Sequence, residues 1–215
     1  MEKRYESDMT RKEKRQNELK KLKSMTFKQK AAYIWEYYKG LFAGIIIACV
    51  IISIGVQMFQ NSQLKSLLSI VVVDSNYNHD EQVEALQNDF LAYAGTGDKH
   101  EVVDVDTSLL SGDDYNAVVK MTVVMGAGTA DMMFCGEETY KKYKQQEAFL
   151  SWKEVLGDDY SKYEEYMTDD GRLDLEKCPN WEKYNMVYYS PVYAVVMSSS
   201  KNLENCIKFL EMMVQ

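Results

Sequence analysis

The sequence predicts an α/β protein, namely one three-layer lobe with a mainly parallel sheet, preceded by a single transmembrane helix. Three observations support this prediction. An uncharged apolar run separates a basic segment from an acidic one, β-branched runs alternate with helical patterns after it, and glycines or acidic residues stand at the junctions. The 215 residues allow one domain of ordinary size together with additional segments.

The first observation is the division of charge along the chain. Residues 1–40 contain twelve Lys or Arg against six Asp or Glu, a net charge of +6. Residues 41–215 contain thirteen against twenty-seven, a net charge of −14. Between them, the run Leu41–Phe59 has no ionised side chain and nearly reaches the roughly 20 apolar residues that a bilayer crossing requires. We therefore expect a transmembrane helix over 41–59.

The flanks of this run predict the topology. Aromatic rings and Lys39 precede it, as at a membrane interface, and the excess of Lys and Arg lies on the same side. We expect residues 1–40 to be a basic cytoplasmic tail, 60–66 a short linker, and 67–215 an extracellular α/β domain of a cell-membrane protein. The tail is expected to be solvated or to contact anionic lipid headgroups, and its six acidic residues argue against nucleic acid as a partner.

Two alternatives to an uncleaved anchor stay open. A buried core helix has a similar composition. Ile46–Cys49 resembles a bacterial lipoprotein signal, although ten more mostly apolar residues follow Cys49. No small-x-small exit follows the run, so a cleaved signal peptide is not expected.

The first half of the outer domain alternates strands and helices. Leu67–Asp74 is a continuous β-branched run, which predicts a buried strand. The next segment begins with acidic residues and ends at Gly95, which predicts a helix. The expected order is strand 67–74, helix 80–95, strand 100–107, helix 112–128, strand 130–135 and helix 136–149. Such spacing is typical of a parallel sheet covered by helices.

The second half is less regular. Residues 150–181 have a helical start and turn signals at Gly157 and Asp170–Gly171. Residues 184–200 alternate around Pro191, which predicts one or two strands with an edge position or a break at the proline. A terminal helix is expected over 202–215. Its expected core-facing residues are Leu203, Ile207, Leu210 and Val214.

The chain offers few residues for catalysis or metal binding. His79 and His100 stand alone, and Cys135, Cys178 and Cys206 show no metal-ligand spacing. These cysteines leave one disulfide or buried free thiols as alternatives. The sequence has no nucleophile elbow and no P-loop, so we expect no catalytic residue, metal or cofactor. The frequent tyrosines of the outer domain either stack on sugars or pack half-buried.

A family resemblance adds to this interpretation. The segment AGTADMMFCGEETYKKYKQQEAFLSWKEVL (127–156) resembles part of bacterial extracellular solute-binding proteins of the family-one type, in which a Gly-Thr-x-Pro-Asp turn leads into a short strand and a helix. Gly128, Thr129 and Asp131 match that turn, whereas Ala130 replaces its proline. Residues 188–213 also resemble the return strand and following helix of these proteins.

This resemblance covers much of 67–215 and implies a periplasmic-binding-protein-like lobe with a small solute, such as a sugar or peptide, as ligand. Family members are longer and close two lobes on the ligand, whereas this chain contains about one lobe. The N-terminal segment resembles the start of membrane-anchored proteins of Gram-positive bacteria.

The strand ends supply the candidate ligand-binding residues. In open α/β sheets, ligands bind outside the carboxyl ends of strands. The strand ends together with the resembled turn give Asp74, Ser75, Asn76, Asp106, Thr107, Gly128, Thr129, Asp131 and Gly136. The alternative is that these residues only cap helices and make turns.

The expected function is non-catalytic binding or interaction at the cell surface. One alternative is a lobe without a ligand that docks on a membrane transport or secretion protein. A second alternative is an enzyme whose active site carries no recognisable motif.

Overall fold

A computed structural model describes residues 10–113 and 115–215, apart from the side chains of Ile34 and Tyr37. Residues 1–9 of the expected tail and Asp114 of the expected helix 112–128 lie outside the described residues. The chain divides into two compact units between Ser62 and Gln63.

The first unit consists of two helices in its described part, α1 (Arg11–Ser24) and α2 (Phe27–Ser62). A capping box starts α1, because the Thr10 hydroxyl accepts from the Glu13 amide while the Glu13 carboxylate accepts from the Thr10 amide. No residue of α1 is buried, as expected for a solvated basic segment.

The second helix contains the predicted apolar span. Over Tyr38–Ser62 its mean hydropathy is 2.5, and it is long and apolar enough to cross a membrane. None of this segment is buried among the described residues. The helix continues to Ser62 and the first strand begins at Lys65, so regular structure takes up most of the expected linker 60–66.

The second unit is an α/β domain. Its described residues form a six-stranded sheet of order β2-β1-β3-β6-β4, in which β5 also pairs with β6. The strands are β1 (Lys65–Val73), β2 (Glu101–Leu109), β3 (Met132–Cys135), β4 (Phe149–Leu150), β5 (Leu173–Asp174) and β6 (Tyr193–Met197). The helices are α3 (Asp80–Ala94), α4 (Tyr115–Ala127), α5 (Glu137–Lys144), α6 (Trp152–Leu156), α7 (Trp181–Tyr184) and α8 (Leu203–Val214). Short 3-10 turns cover Gly157–Lys162, Glu164–Tyr166 and Leu175–Lys177.

The sheet is mixed, because β6 runs opposite to the other five strands, which share one direction. Strand β1 pairs parallel with β2 and β3, but β6 pairs antiparallel with β3, β4 and β5. Apolar alternation predicts a strand but not its direction. Pro191 lies two residues before β6, so the proline marks a break, and β6 occupies the interior of the sheet.

Helices cover both faces of the sheet, which confirms the three layers. Alternate side chains of β1 face opposite ways. Ile70 and Val72 belong to a core with α3, α6, α7 and α8, whereas Val71 and Val73 belong to a second core with α4 and α5. The indole of Trp152 is fully buried in the first core and donates to the Ala194 carbonyl at 2.8 Å, which ties α6 to the sheet.

The core-facing side of α8 differs from the prediction. Cys206, Phe209, Leu210 and Met213 are the fully buried residues of this helix, while Leu203 is 36% exposed. Two neighbouring faces of α8 are apolar, and a 3.6-residue period cannot choose between them. Of the four residues expected to face the core, Leu210 is fully buried, and Ile207 and Val214 are partly buried and pack against the core.

Candidate functional site

A cleft of about 320 Å³ lies where β1 and β3 end. It forms at the carboxyl ends of two parallel strands, where ligands of open α/β sheets bind. Asp74 follows β1, Gly136 follows β3, and the segment before β6 supplies another wall. The lining residues are Asp74, Ser111, Gly136, Glu137, Glu138, Thr139, Tyr188, Tyr189, Ser190 and Pro191.

Asp74 makes a sharp turn directly after β1. Its φ of 53° is left-handed, a conformation that aspartate adopts more readily than most residues. Its amide donates to the Leu109 carbonyl, and its carboxylate Oδ1 accepts from the Ser111 amide, both at 3.0 Å. Asp74 therefore ties the end of β1 to the segment that follows β2 and holds a carboxylate at the cleft.

Tyr189 lies across the ends of β1 and β3. Its hydroxyl donates to the Val73 carbonyl at 2.9 Å and lies 3.5 Å from the Phe134 carbonyl. Burial raises the pKa of Tyr189 far above its usual value, so this hydroxyl stays a neutral donor. A Cβ on Gly136 would lie 3.2 Å from Tyr189 Cδ2, so the glycine admits the ring.

Tyr188 is the exposed aromatic residue of the cleft. Its side chain is 74% exposed, and its ring meets Tyr189 edge-on with centroids 6.1 Å apart. An exposed ring held by a partly buried neighbour can stack on an apolar sugar face or on another flat group.

Glu137 is occupied by partners within the domain. Its carboxylate pairs with Arg172 Nη1 at 2.5 Å and with Lys141 Nζ at 3.0 Å. Hydrogen bonds from Arg172 and then Lys141 lower the pKa of Glu137. The Arg172 guanidinium also lies 4.3 Å and 4.0 Å from the ring centroids of Tyr140 and Tyr193. This cluster fixes Glu137, its one member that lines the cleft.

The same arginine binds a second carboxylate away from the cleft. Arg172 Nε donates to Asp170 at 2.7 Å. Burial opposes ionisation of Asp170, but hydrogen bonds from Thr168, Arg172 and Lys144 outweigh it and lower the pKa of Asp170 to about 2.

Four predicted residues lie beside the cleft without lining it. The Ser75 hydroxyl donates to the Thr107 carbonyl, and the Asn76 amide donates to the Met186 carbonyl, both at 2.8 Å. Asp106 and Thr107 lie within β2, which continues to Leu109. Asp106 is exposed and accepts from the Ser108 amide at 2.8 Å.

The turn that matches the family motif lies at the opposite end of the strands, on the amino-terminal side of β3. Gly128, Thr129 and Asp131 precede β3, and the amino end of a parallel strand is remote from its carboxyl end. One cleft therefore does not include both Asp74 and Asp131. Gly128 has a φ of 60°, and a Cβ there would lie 3.2 Å from the Ser199 Cβ, so glycine suits this turn.

Asp131 joins three segments by hydrogen bonds. Its side chain is buried, with 6% of the residue exposed. It accepts from the Ser69 backbone amide at 3.0 Å, the Ser200 hydroxyl at 2.8 Å and the Asn202 side-chain Nδ2 at 3.0 Å. Its donors come from β1 and from the segment between β6 and α8. Asp131 thus connects β1, β3 and the segment before α8 at the amino-terminal end of β3.

The sequence interpretation missed Ser111 and the Tyr188–Pro191 wall as cleft residues. Ser111 follows a strand that was predicted to end at Thr107, two residues early. The Tyr-Tyr-Ser-Pro run carried a signal, because adjacent tyrosines before a strand-breaking proline mark a segment that leaves the sheet.

The cysteines of the outer domain are buried and free, which resolves the disulfide alternative in favour of free thiols. Burial raises the pKa of Cys135, the cysteine at the end of β3, to about 12, so its thiol is protonated at neutral pH. Among the described residues, no group of three or more His, Cys, Asp or Glu is placed to hold a metal ion.

The cleft can therefore bind through carboxylates and an exposed aromatic ring. Carboxylates accept from hydroxyl or ammonium groups, and Tyr188 offers a flat apolar surface. No protein-family model, curated protein or solved structure matches this chain.

Proposed function

We propose that this chain is a membrane-anchored binding protein whose second unit is displayed outside the cell and binds a small polar solute. The observation that carries the proposal is the cleft, in which Asp74 and Gly136 from two parallel strands meet the Tyr188–Pro191 wall. The ligand class that fits is a sugar or a peptide with a free amino group, because both present donors to carboxylates and flat faces to a tyrosine ring.

The anchor and its orientation are supported by charge and hydropathy. Helix α2 provides an uncharged, apolar segment of sufficient length. The excess of Lys and Arg precedes it, and such an excess favours the cytoplasmic side. The acidic second unit then lies outside.

The resemblance to a solute-binding lobe is supported by the position of β6. This strand runs antiparallel beside β3 and leads into α8, which is the return strand and following helix that the resemblance implies. Within this unit, the cleft gives the ligand one set of walls. Because tight sites bury most of a ligand's surface, we expect weak binding.

A second function, docking on a membrane protein, is favoured by the internal hydrogen bonds of the cleft. The Ser190 hydroxyl donates to Glu176 at 2.9 Å, Tyr189 is bonded to β1, and Glu137 is paired with Arg172. Polar groups that already have partners contribute little to a new ligand. A partner surface could cover the open side of the cleft without them.

The test uses the full chain in lipid nanodiscs and a thermal-shift series with sugars, amino acids and short peptides. A ligand of the folded state raises the melting temperature with concentration. We expect a weak, saturable rise with one class, which Asp74→Asn and Tyr188→Ala each remove. Asp74→Asn keeps a residue that tolerates the left-handed turn and removes the charge.

Asp106→Asn is the matched control, because it removes an exposed carboxylate outside the cleft. A response that Asp106→Asn removes and Asp74→Asn leaves intact would place binding elsewhere. No response to any compound, combined with cross-linking of Tyr188 to a membrane protein in cells, would replace solute binding by docking.

A further inference from the structure

We propose that the outward face of α4 pairs with the same face of a second copy of this chain. This surface is separate from the cleft, and the proposal does not depend on what the cleft binds. It makes the protein a homodimer through an antiparallel contact of two α4 helices.

Helix α4 is apolar on its outer as well as its inner side. Ala117, Met121 and Val124 face the core. The outer side carries Tyr115, which is 81% exposed, and Val123, which is 59% exposed, with Val118 and Val119 between them. An apolar stripe that faces away from the core has no partner within the domain, and contiguous apolar surface marks an interaction site.

A groove lies beside the end of α4. It measures about 410 Å³ and is lined by Thr122, Met125 and Gly126 of α4 together with Tyr143 and Met197. Tyr115, at the start of α4, is the protruding ring. In an antiparallel pair, the start of one helix lies against the end of the other, so each Tyr115 meets the partner's groove.

Two-fold symmetry makes this complementarity count twice. An isologous interface needs a surface that is complementary to itself, and α4 offers a protruding ring at one end and a groove at the other. The groove rim also carries Gln146 and Glu147, whose oxygens can accept from the Tyr115 hydroxyl.

The charges around the face suit a second copy. Across a two-fold axis, an unpaired charge would meet its own like charge. The two neighbouring lysines are occupied, because Lys120 donates to the Ser108 carbonyl at 3.0 Å and Lys142 pairs with Asp113 at 2.5 Å. An anionic membrane is a poor alternative, since residues 41–215 carry a net charge of −14.

Anchoring of both copies in one membrane would favour the α4 contact. This part of the argument alone rests on the proposed function. Copies that share a membrane have a high effective concentration. Gly40, Gly44 and Ala48 follow at intervals of four along α2, and a Cβ at either glycine meets nothing within 4 Å. Small residues at this spacing allow membrane helices to approach closely.

The test is oxidative cross-linking of the full chain in native membranes, with Cys49→Ala as background. Thr122 lies near the expected two-fold axis, so Thr122→Cys should give a product of twice the chain mass. Glu84→Cys is the matched control, since it lies exposed on α3 at the opposite face of the sheet. We expect no product from it.

A charge exchange tests whether the partner is a second copy. In the Thr122→Cys background, Val119→Lys and Val119→Glu each place like charges across the axis and should lower the yield at least roughly tenfold. Mixing differently tagged Val119→Lys and Val119→Glu chains should restore the product. Tyr115→Ala should also lower the yield, and melting temperatures confirm that the variants fold.

Four results would overturn the proposal. A cross-linked product of another mass would show a different protein on α4, and equal products from Glu84→Cys would indicate random collision. Absence of product from cysteines at Val119, Thr122 and Val123 alike would leave α4 without a protein partner. Failure of the mixed charges to restore the product would exclude a two-fold contact. None of these results depends on whether the cleft binds a solute.

Discussion

Replacement of Asp131 tests whether the hydrogen bonds of its carboxylate stabilise the folded domain. Asp131→Ala removes the acceptor for the Ser69 amide, the Ser200 hydroxyl and the Asn202 side chain at once. A hydrogen bond to a charged group contributes about 1.5–3 kcal/mol, which gives an upper limit of about 5–9 kcal/mol for three bonds. Ser200 and Asn202 are partly exposed and can regain water, so we expect a loss of about 3–4 kcal/mol in the free energy of unfolding.

The matched control is Asp131→Asn. Its carbonyl oxygen can accept from the Ser69 and Asn202 donors, which share Oδ2 in the structure. Its NH₂ group can donate to the Ser200 hydroxyl, which can also act as an acceptor. All three contacts can therefore persist without the charge, and the cost should be about 1 kcal/mol.

The assay is urea unfolding of the unit Gln63–Gln215, which we expect to unfold cooperatively because it has its own cores. With a slope of about 2 kcal/mol per molar urea, Asp131→Ala should lower the midpoint by about 1.5–2 M. Asp131→Asn should lower it by about 0.5 M. Equal effects of the two variants, or a loss below about 1 kcal/mol for Asp131→Ala, would refute the reasoning.

Four further predictions concern the core, the acid range, the topology and the anchor. Val72→Asp buries an unpaired charge in a fully buried strand and should abolish the folded signal in circular dichroism. Because the pKa of Asp170 is lowered to about 2, its contribution to stability is present above about pH 4 and is lost as the pH falls towards 2; Asp170→Asn should flatten the loss of stability in that window. Protease added to wall-free cells should remove residues 60–215 and spare the basic tail, and protection of the domain would reverse the topology. Cys49→Ala should change neither the size nor the membrane attachment, whereas loss of a lipid label would reveal a lipoprotein.

The order of elements in the first half of the outer domain follows directly from local patterns. The continuous run of β1, the acidic start of α3 and Gly128 after α4 are local signals, and each predicted an element that the structure contains. The direction in which two strands pair is not determined by the sequence within either strand. The reversal of β6, and with it the mixed sheet, depends on which strand reaches the free side of β3.

The same limit explains the mixed outcome for the candidate site. Asp74 and Gly136 come together because both follow parallel strands, a relation that the βαβ pattern contains. Tyr188 and Pro191 come from a segment about fifty residues after Gly136, and no periodicity in the sequence connects this segment to β1. Asp131 resembled a ligand residue by its motif. It precedes β3, however, and so lies at the end of the strands opposite the cleft.

The place of β6 has a consequence for how the protein is made. Met133 pairs with Val195, which is synthesised 62 residues later, so β3 has an open edge until β6 has been produced. Closing such a distant pair costs chain entropy before any contact offsets it, which slows folding. A chain that stops before Tyr193 would not be a smaller lobe but an open sheet with an exposed edge, prone to aggregation and proteolysis. Assembly of this domain therefore requires synthesis to continue through β6, the strand that covers that edge.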